Sequence, residues 1–218
     1  MLVNEQTGGG FAAGNISEIQ KGPGIGISWD TWINQFTGNT YWSHELITHE
    51  TVNLFTGLIL SGWPVDWWAN HRSPFPFMVK IKTLEALGYT DGAQADRERS
   101  DTLTKMFLDL QSKYDWNLYR QLLKYVANDG WTSWDTLSES GGSNPSILRS
   151  SYVAAYLSAA ANTNLTDVIN STYTVTDHLD YTLDAQVVQQ IIDRRNEIQT
   201  LPRDSAQWNN FRKGIVRD

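Results

Sequence analysis

The spacing of apolar residues changes at residue 43, and this change divides the chain into two parts. Residues 1–42 contain short runs rich in Gly, Thr, Trp and Ile, which are typical of strands and turns. From Ser43 onward the apolar residues recur at helical spacing. The pattern predicts an α+β protein that is a helix-rich single domain over residues 1–218. Its parts would be a small N-terminal β-sheet lobe in residues 1–42 and a mainly helical body in residues 43–218.

Glycine and proline indicate where the helices of this body begin and end. Gly often follows the last turn of a helix, and Pro rarely lies inside one. With these stops, the apolar periodicity predicts helices at 43–62, 77–87, 101–111, 116–128, 145–160 and 184–200. The sequence SPFP at residues 73–76 is predicted to form a rigid bend. Residues 128–145 are predicted to form a loop rich in Gly, Ser and Trp.

The composition limits the classes of partner and ligand. The 218 residues carry a formal net charge of −7, which argues against a nucleic-acid partner because phosphates require a basic surface. The chain has no cysteine, so a metal ion would have to be bound by His, carboxylate or amide groups. No apolar run is long enough to span a membrane, and we therefore predict no membrane span.

Three glycosylation sequons favour an exported protein. They begin at Asn15, Asn164 and Asn170. The many Thr, Asn, Trp and Tyr residues and the few Lys residues support the same interpretation. We therefore expect a secreted, extracellular glycoprotein.

The first predicted helix carries the candidate metal chemistry in the sequence HETVN, residues 49–53. His49 and Asn53 are four residues apart, so their side chains lie on one face of a helix and can converge on one ion. Glu50 lies one step round the helix, where a general base would polarise a metal-bound water. A third ligand would have to come from elsewhere in the chain. The alternative is an ordinary helix on which His and Glu occur together by chance.

The sequence around this motif resembles a peptidase family. HETVNLFT, followed by GWPVDWWANHR at residues 62–72, resembles the pattern of gluzincin-type zinc peptidases, especially the basic secretory protein peptidases of plants and bacteria. Residues 102–125 and 151–165 are similar to later helices of that family and of the enhancin-like peptidases. The resemblance implies a zincin-like fold and a secreted metallopeptidase that hydrolyses peptide bonds in a peptide or glycoprotein substrate.

The resemblance also implies roles for individual residues. Zinc, or another divalent metal, would be bound by His49, Asn53 and Asp66, with Glu50 as the catalytic base. Asn53 stands where the second His of an HExxH motif would be, so the motif is degenerate and the metal site is either altered or inactive.

Two further groups of residues are implied by the same resemblance. The substrate backbone would be held along a glycine-rich edge strand formed by Gly8, Gly9, Gly10 and Phe11. The candidates for an oxyanion-stabilising or auxiliary role are His71, Tyr152 and Tyr156. The alternative for this second group is a solvent-facing histidine and two core tyrosines.

The ten tryptophans support a second class of function. An exposed cluster, such as Trp63, Trp67 and Trp68, would stack on sugar rings, whereas buried tryptophans fix packing. The alternative to a hydrolase is therefore a non-catalytic carbohydrate- or protein-binding extracellular domain that uses an aromatic cleft. Glycan cleavage would need a pair of carboxylates at a set separation, and no spacing in the sequence singles out such a pair.

Overall fold

The computed structural model describes residues 2–4, 10–13, 24–28, 48–49, 51–52, 74–131, 137, 145–172 and 182–217. The strands are β1 (Leu2–Asn4), β2 (Gly10–Ala13) and β3 (Gly24–Ser28). The helices are α1 (Pro74–Ala86), α2 (Thr90–Arg99), α3 (Thr102–Asn128), α4 (Pro145–Ala161), α5 (Thr166–Thr172), α6 (Ala185–Glu197) and α7 (Ala206–Arg212).

The chain forms two compact units. The first unit comprises Met1–Val65 and Arg72–Lys105, and the second unit comprises Asp66–His71 and Met106–Asp218. The division at residue 42 and the assignment of the whole chain to one domain stay predictions.

The α+β, zincin-like fold class with an N-terminal β-sheet lobe is wrong, because the described part of the chain is mainly helical. The three strands have 3, 4 and 5 residues. They pair in the order β1-β3-β2, with β1 parallel and β2 antiparallel to β3. Strands this short cannot form an extended layer, and the described core is built by helices instead.

Helix α1 begins inside the segment that the sequence analysis predicted as a rigid bend. Pro74 and Pro76 lie in its first turn, where a missing backbone N–H has no intrahelical acceptor to lose. The bend prediction is therefore wrong. The predicted stop at Gly88 is confirmed: Gly88 adopts a φ of 83°, and the Tyr89 N–H donates to the Leu84 carbonyl over 2.9 Å. This six-to-one hydrogen bond is the Schellman motif that glycine favours.

Helix α2 packs against α1 in the first unit through apolar and charged contacts. Met78, Ile81 and Leu84 of α1 are fully buried. Beside them Lys80 Nζ lies 3.1 Å from Asp96 Oδ2, and both side chains are almost fully buried. Burial of two opposite charges requires that they stay paired, so this contact fixes how α2 lies on α1.

Helix α3 is interrupted at Asp115, between the two helices that the sequence analysis predicted there. Asp115 has φ 60° and ψ −177°, a conformation that is strained for any residue with a Cβ atom. Two helical segments meet at this kink within the 27 residues of Thr102–Asn128. Neither α3 nor any other described helix is both long and apolar enough to cross a membrane.

Helix α4 is the central element of the second unit. Every residue from Ser150 to Ser158 is buried, as expected for a helix with neighbours on all sides. Its small Ala and Ser residues allow close approach, while Tyr152 and Tyr156 fill the larger spaces. Helix α6 packs along it, and α7 adds the fully buried ring of Phe211, whose centroid lies 5.2 Å from that of Tyr152.

Candidate functional site

Of the three predicted metal ligands, the structure describes His49. It lies on helical backbone and is half-buried. Its ring meets the Phe77 ring edge-on, with centroids 5.0 Å apart. Burial, followed by the nearby positive charge of Lys80, lowers the pKa of His49 to about 4. The imidazole is therefore neutral at about pH 7, which suits both metal binding and apolar packing.

The described residues around His49 do not amount to a zinc centre. The Lys80 ammonium lies 4.3 Å from the centroid of the Phe77 ring, and its charge opposes a divalent ion bound at His49. Within the described residues, no group of three or more His, Asp or Glu side chains could hold a metal. The described residues alone do not fit a bound zinc ion.

Other predicted site residues fall outside the described part of the chain. They are Gly8, Gly9, Glu50, Asn53, Asp66 and His71, whose proposed roles stay predictions. Two residues of the predicted substrate strand, Gly10 and Phe11, are among the described residues. They lie in β2, opposite Ile27 and Gly26 of β3. In the order of the described strands β2 is terminal, so the prediction that it holds a substrate stays open.

Tyr152 and Tyr156 are buried core residues whose hydroxyl groups are already bonded. The Tyr152 hydroxyl donates to the Phe211 carbonyl over 2.7 Å. The Tyr156 hydroxyl donates to Asp129 Oδ2 over 2.7 Å and accepts from Trp131 Nε1 over 2.7 Å. Burial raises the pKa of both phenols above the usual value. In this arrangement neither hydroxyl has a free proton to offer a substrate oxygen.

Asp129 is the centre of this buried polar cluster. Its side chain is fully buried, and the Arg195 Nε donates to Oδ2 over 2.5 Å. A second Arg195 nitrogen donates to Oδ1 over 3.2 Å. The Arg212 guanidinium donates to the backbone carbonyl of Asp129 over 2.8 Å. We refer to Asp129, Trp131, Tyr156 and Arg195 as the Asp129 cluster, and its satisfied hydrogen bonds indicate a structural role.

A polar cleft of about 400 Å³ opens in the second unit, between the C-terminal end of α4 and the middle of α6. We call it the α4–α6 cleft. Its exposed polar wall consists of Asn162, Thr163, Asn164, Gln189, Asp193 and Asn196. The half-buried Tyr125 of α3 and the buried Arg195 complete the polar part of the lining. The sequence analysis did not predict this site.

The end of α4 determines where Asn162 lies. Asn162 has a φ of 54°, a left-handed conformation that Asn tolerates better than most residues. The Thr163 N–H donates to the Ser158 carbonyl over 3.1 Å, and the Asn162 N–H donates to the Ala159 carbonyl over 3.2 Å. These two bonds form a Schellman motif with Asn162 in the position that glycine usually takes. An Asn directly after the alanine run of α4 was a sequence signal for this cap.

Three residues of the cleft wall, Asn164, Gln189 and Asp193, are held in place by side-chain hydrogen bonds. The Gln189 amide donates to Asp193 Oδ1 over 2.9 Å. The Asn164 amide donates to the Ala185 carbonyl over 3.3 Å, and its Oδ1 accepts from the Thr166 N–H over 3.0 Å. Asn164 therefore connects the start of α5 to the start of α6 and keeps this wall in a defined position.

Three other polar side chains of the cleft have no partner among the described residues. Among the described residues, the side chains of Asn162, Thr163 and Asn196 make no hydrogen bond within the protein. The Arg195 guanidinium, in contrast, is engaged by Asp129 and lies 4.2 Å from the centroid of the Tyr125 ring. The cleft thus combines free amide and hydroxyl groups with a guanidinium whose charge is neutralised by Asp129.

Comparison of the chain with protein-family models, with curated proteins and with solved structures found no match.

Proposed function

We propose that the protein is a non-catalytic binding protein whose α4–α6 cleft takes a small polar ligand. One observation carries the proposal: in one concave site, Asn162, Thr163 and Asn196 present hydrogen-bonding groups that have no partner among the described residues. Concave sites with a few convergent polar groups are the usual location of small-molecule binding. A volume of about 400 Å³ is at the lower end for such sites and favours a small ligand.

The chemistry of the lining favours binding over catalysis. Asp193 is the one carboxylate among the described residues that line the cleft, and acid–base hydrolysis of a glycoside needs two. The Ser158 hydroxyl donates to the Ala154 carbonyl over 2.6 Å and accepts from the Leu165 N–H over 2.9 Å. It therefore lacks the free, activated state that a nucleophile requires.

The proposal is tested by following side-chain amide signals in the NMR spectrum of the 15N-labelled protein. A set of small sugars, amino acids, carboxylates, amines and nucleosides is added in turn. We expect at least one compound to shift the amide signals of Asn162 and Asn196. The Asn170 amide is an internal control, because it donates to the Leu183 carbonyl over 2.9 Å and is already occupied.

Asn162→Gly is the matched variant for this test. Glycine accepts the left-handed conformation of residue 162, so the variant removes the side chain from the cleft and keeps the helix cap. Loss of one hydrogen bond should weaken ligand binding by about 3- to 10-fold. The proposal is wrong if no compound shifts the two signals, or if the variant binds the active compound as well as the wild type does.

A metal-assisted peptide hydrolase is the second candidate function. It is supported by the HETVN sequence and by the position of His49 on helical backbone. The test is the metal content of protein purified without chelator, together with digestion of casein by the wild type and by Glu50→Gln. This candidate requires bound zinc in both proteins and digestion in the wild type alone. Absence of bound metal after loading with zinc would exclude it.

A further inference from the structure

We propose that the ligand of the α4–α6 cleft is an uncharged molecule with several hydroxyl groups, such as one sugar residue. This inference rests on the binding function proposed above. It deepens that function by naming the chemical class of the ligand. Three features of the cleft carry it: its charge, its mixture of donors and acceptors, and its apolar patch.

The charge of the cleft disfavours an anionic ligand. Arg195 is the one cation among the described lining residues, and its guanidinium is already bonded to both carboxylate oxygens of Asp129. Asp193 is exposed and adds a negative charge to the wall. A carboxylate or phosphate ligand would meet this charge, and no free cation among the described lining residues would offset it.

The donors of the cleft disfavour a ligand that is chiefly a cation. Asn162 and Asn196 each offer an N–H₂ donor and a carbonyl acceptor, and Thr163 offers a hydroxyl that does both. An ammonium group has donors and no acceptors, so it would leave the two amide N–H₂ groups without a partner. A sugar hydroxyl both donates and accepts, and neighbouring hydroxyls on a ring match the paired groups of an amide.

The remaining lining suits the C–H surface of a sugar ring. Ala159 and Ile192 add apolar surface beside the polar wall. One face of the Tyr125 ring is covered by the Arg195 guanidinium at 4.2 Å, so that face is not open to a sugar ring. The ligand would instead lie against the aliphatic side chains, with its hydroxyls directed to the amides.

The experiment is a titration of the 15N-labelled protein with three matched sugars: a neutral hexose, the corresponding hexuronate and the corresponding amino sugar. We expect the neutral hexose to shift the Asn162 and Asn196 amide signals at the lowest concentration. Asn162→Gly should weaken its binding by about 3- to 10-fold, the effect of one lost hydrogen bond.

Asp193→Asn provides the control for charge. An Asn side chain at this position can still accept the hydrogen bond from Gln189, so the wall is preserved while the charge is removed. We expect the disadvantage of the hexuronate relative to the neutral hexose to shrink in this variant. Tightest binding of the amino sugar, abolished by Asp193→Asn, would overturn the inference in favour of a cationic ligand.

The outcomes also separate this inference from the proposed function. If a compound other than a sugar shifts the two amide signals and no sugar does, the ligand class is wrong and the binding function stands. If no compound of any class shifts them, the binding function and the ligand class are both wrong.

Discussion

The second unit contains two polar regions that each include an aspartate, the Asp129 cluster and the α4–α6 cleft. In the cluster the carboxylate is fully buried and bonded to Tyr156 and Arg195. In the cleft Asp193 and its neighbours are exposed, and three of the wall side chains have no partner in the described protein. Arg195 belongs to both regions, since its guanidinium binds Asp129 and its side chain lines the cleft.

The difference shows how burial separates a structural polar group from one that is available to a ligand. A buried charge must be paired within the protein, because leaving it unpaired costs several kcal/mol. An exposed amide exchanges a water for a ligand at little cost, so it can remain free until a ligand arrives. Variants of the cluster should therefore lose much more stability than variants of the cleft.

Asp129→Ala should have the largest effect. It leaves the buried Arg195 guanidinium and the Tyr156 hydroxyl without their acceptor, and we expect a loss of about 3–5 kcal/mol in the free energy of unfolding. Urea denaturation followed by circular dichroism measures it. The matched variant Asp193→Ala removes an exposed carboxylate and should cost less than about 0.5 kcal/mol. Equal losses of unfolding free energy in the two variants would contradict the expected difference between the buried and the exposed carboxylate.

His49 tests the same principle in the first unit through the dependence of stability on pH. Its pKa is lowered from 6.5 to about 4, so the folded state holds the neutral form while the unfolded state takes up a proton first. Stability is therefore complete above about pH 6.5 and falls as the pH decreases toward about 4. Because the ring is only half-buried, we expect a loss of about 1–2 kcal/mol between about pH 7 and 5.

The measurement for His49 is the difference in unfolding free energy between the wild type and His49→Gln over that pH range. The glutamine does not titrate, so subtraction of its profile removes the contribution of the other ionisable groups. Lys80 is the charged neighbour that contributes to the lowered pKa. Parallel profiles for the two proteins would show that His49 is not held in the neutral form.

Asn170 should contribute a smaller amount, because its amide is half-buried and bonds neutral groups. Its Nδ2 donates to the Leu183 carbonyl over 2.9 Å, and its Oδ1 accepts from the Leu183 N–H over 3.0 Å. We expect Asn170→Ala to lower the free energy of unfolding by about 1–2 kcal/mol in urea. Asn209, an exposed residue of α7, supplies the control variant Asn209→Ala, which should cost less. A neutral effect of Asn170→Ala would show that water replaces both bonds.

Asp115→Gly should stabilise the protein by about 1 kcal/mol, because glycine adopts a φ of 60° without the strain caused by a Cβ atom. Asp115→Ala keeps that Cβ atom and should bring no gain. Thermal or urea unfolding of the two variants separates backbone strain from loss of the carboxylate. A gain in Asp115→Ala equal to that in Asp115→Gly would point to the charge instead.

The cleft should show the smallest effect on stability. Asn196→Ala removes an exposed side chain that has no partner among the described residues, and we expect a change within about 0.5 kcal/mol. Ligand binding should nevertheless weaken by about 3- to 10-fold, as for Asn162→Gly. A large loss of stability in Asn196→Ala would show that Asn196 supports the fold and is not available to a ligand.

The sequence predicted those helices whose apolar spacing and ends are set by nearby residues. Helices at 145–160 and 184–200 were predicted, and the structure has α4 over Pro145–Ala161 and α6 over Ala185–Glu197. The predicted gap between 111 and 116 contains the kink at Asp115. In contrast, α2, α5 and α7 were missed, because α2 is strongly polar and the other two have 7 residues each, too few for a clear apolar period.

The wrong fold class has a different physical origin. Short runs rich in Gly, Thr and Ile have the residue types found in strands wherever they occur. A β-sheet lobe also requires long neighbouring strands and a second layer that covers one face of the sheet. Helix-forming sequence in the rest of the chain builds the described core instead.

The sequons at Asn164 and Asn170 led to the prediction of export, which stays a prediction. The structure shows a role that the sequon pattern does not predict: the two side-chain amides donate to the Ala185 and Leu183 carbonyls, at and just before the start of α6.

Two helix ends follow from neighbouring residues alone: the glycine after α1 and the asparagine after α4 end their helices through bonds within six residues. Packing between distant helices, in contrast, set which polar groups became buried partners and which stayed open. Asp129 and Arg195 are 66 residues apart, and the cleft joins residues of α3, α4 and α6. The physical reason is that capping depends on neighbouring backbone atoms, whereas pairing and exposure depend on how distant helices pack.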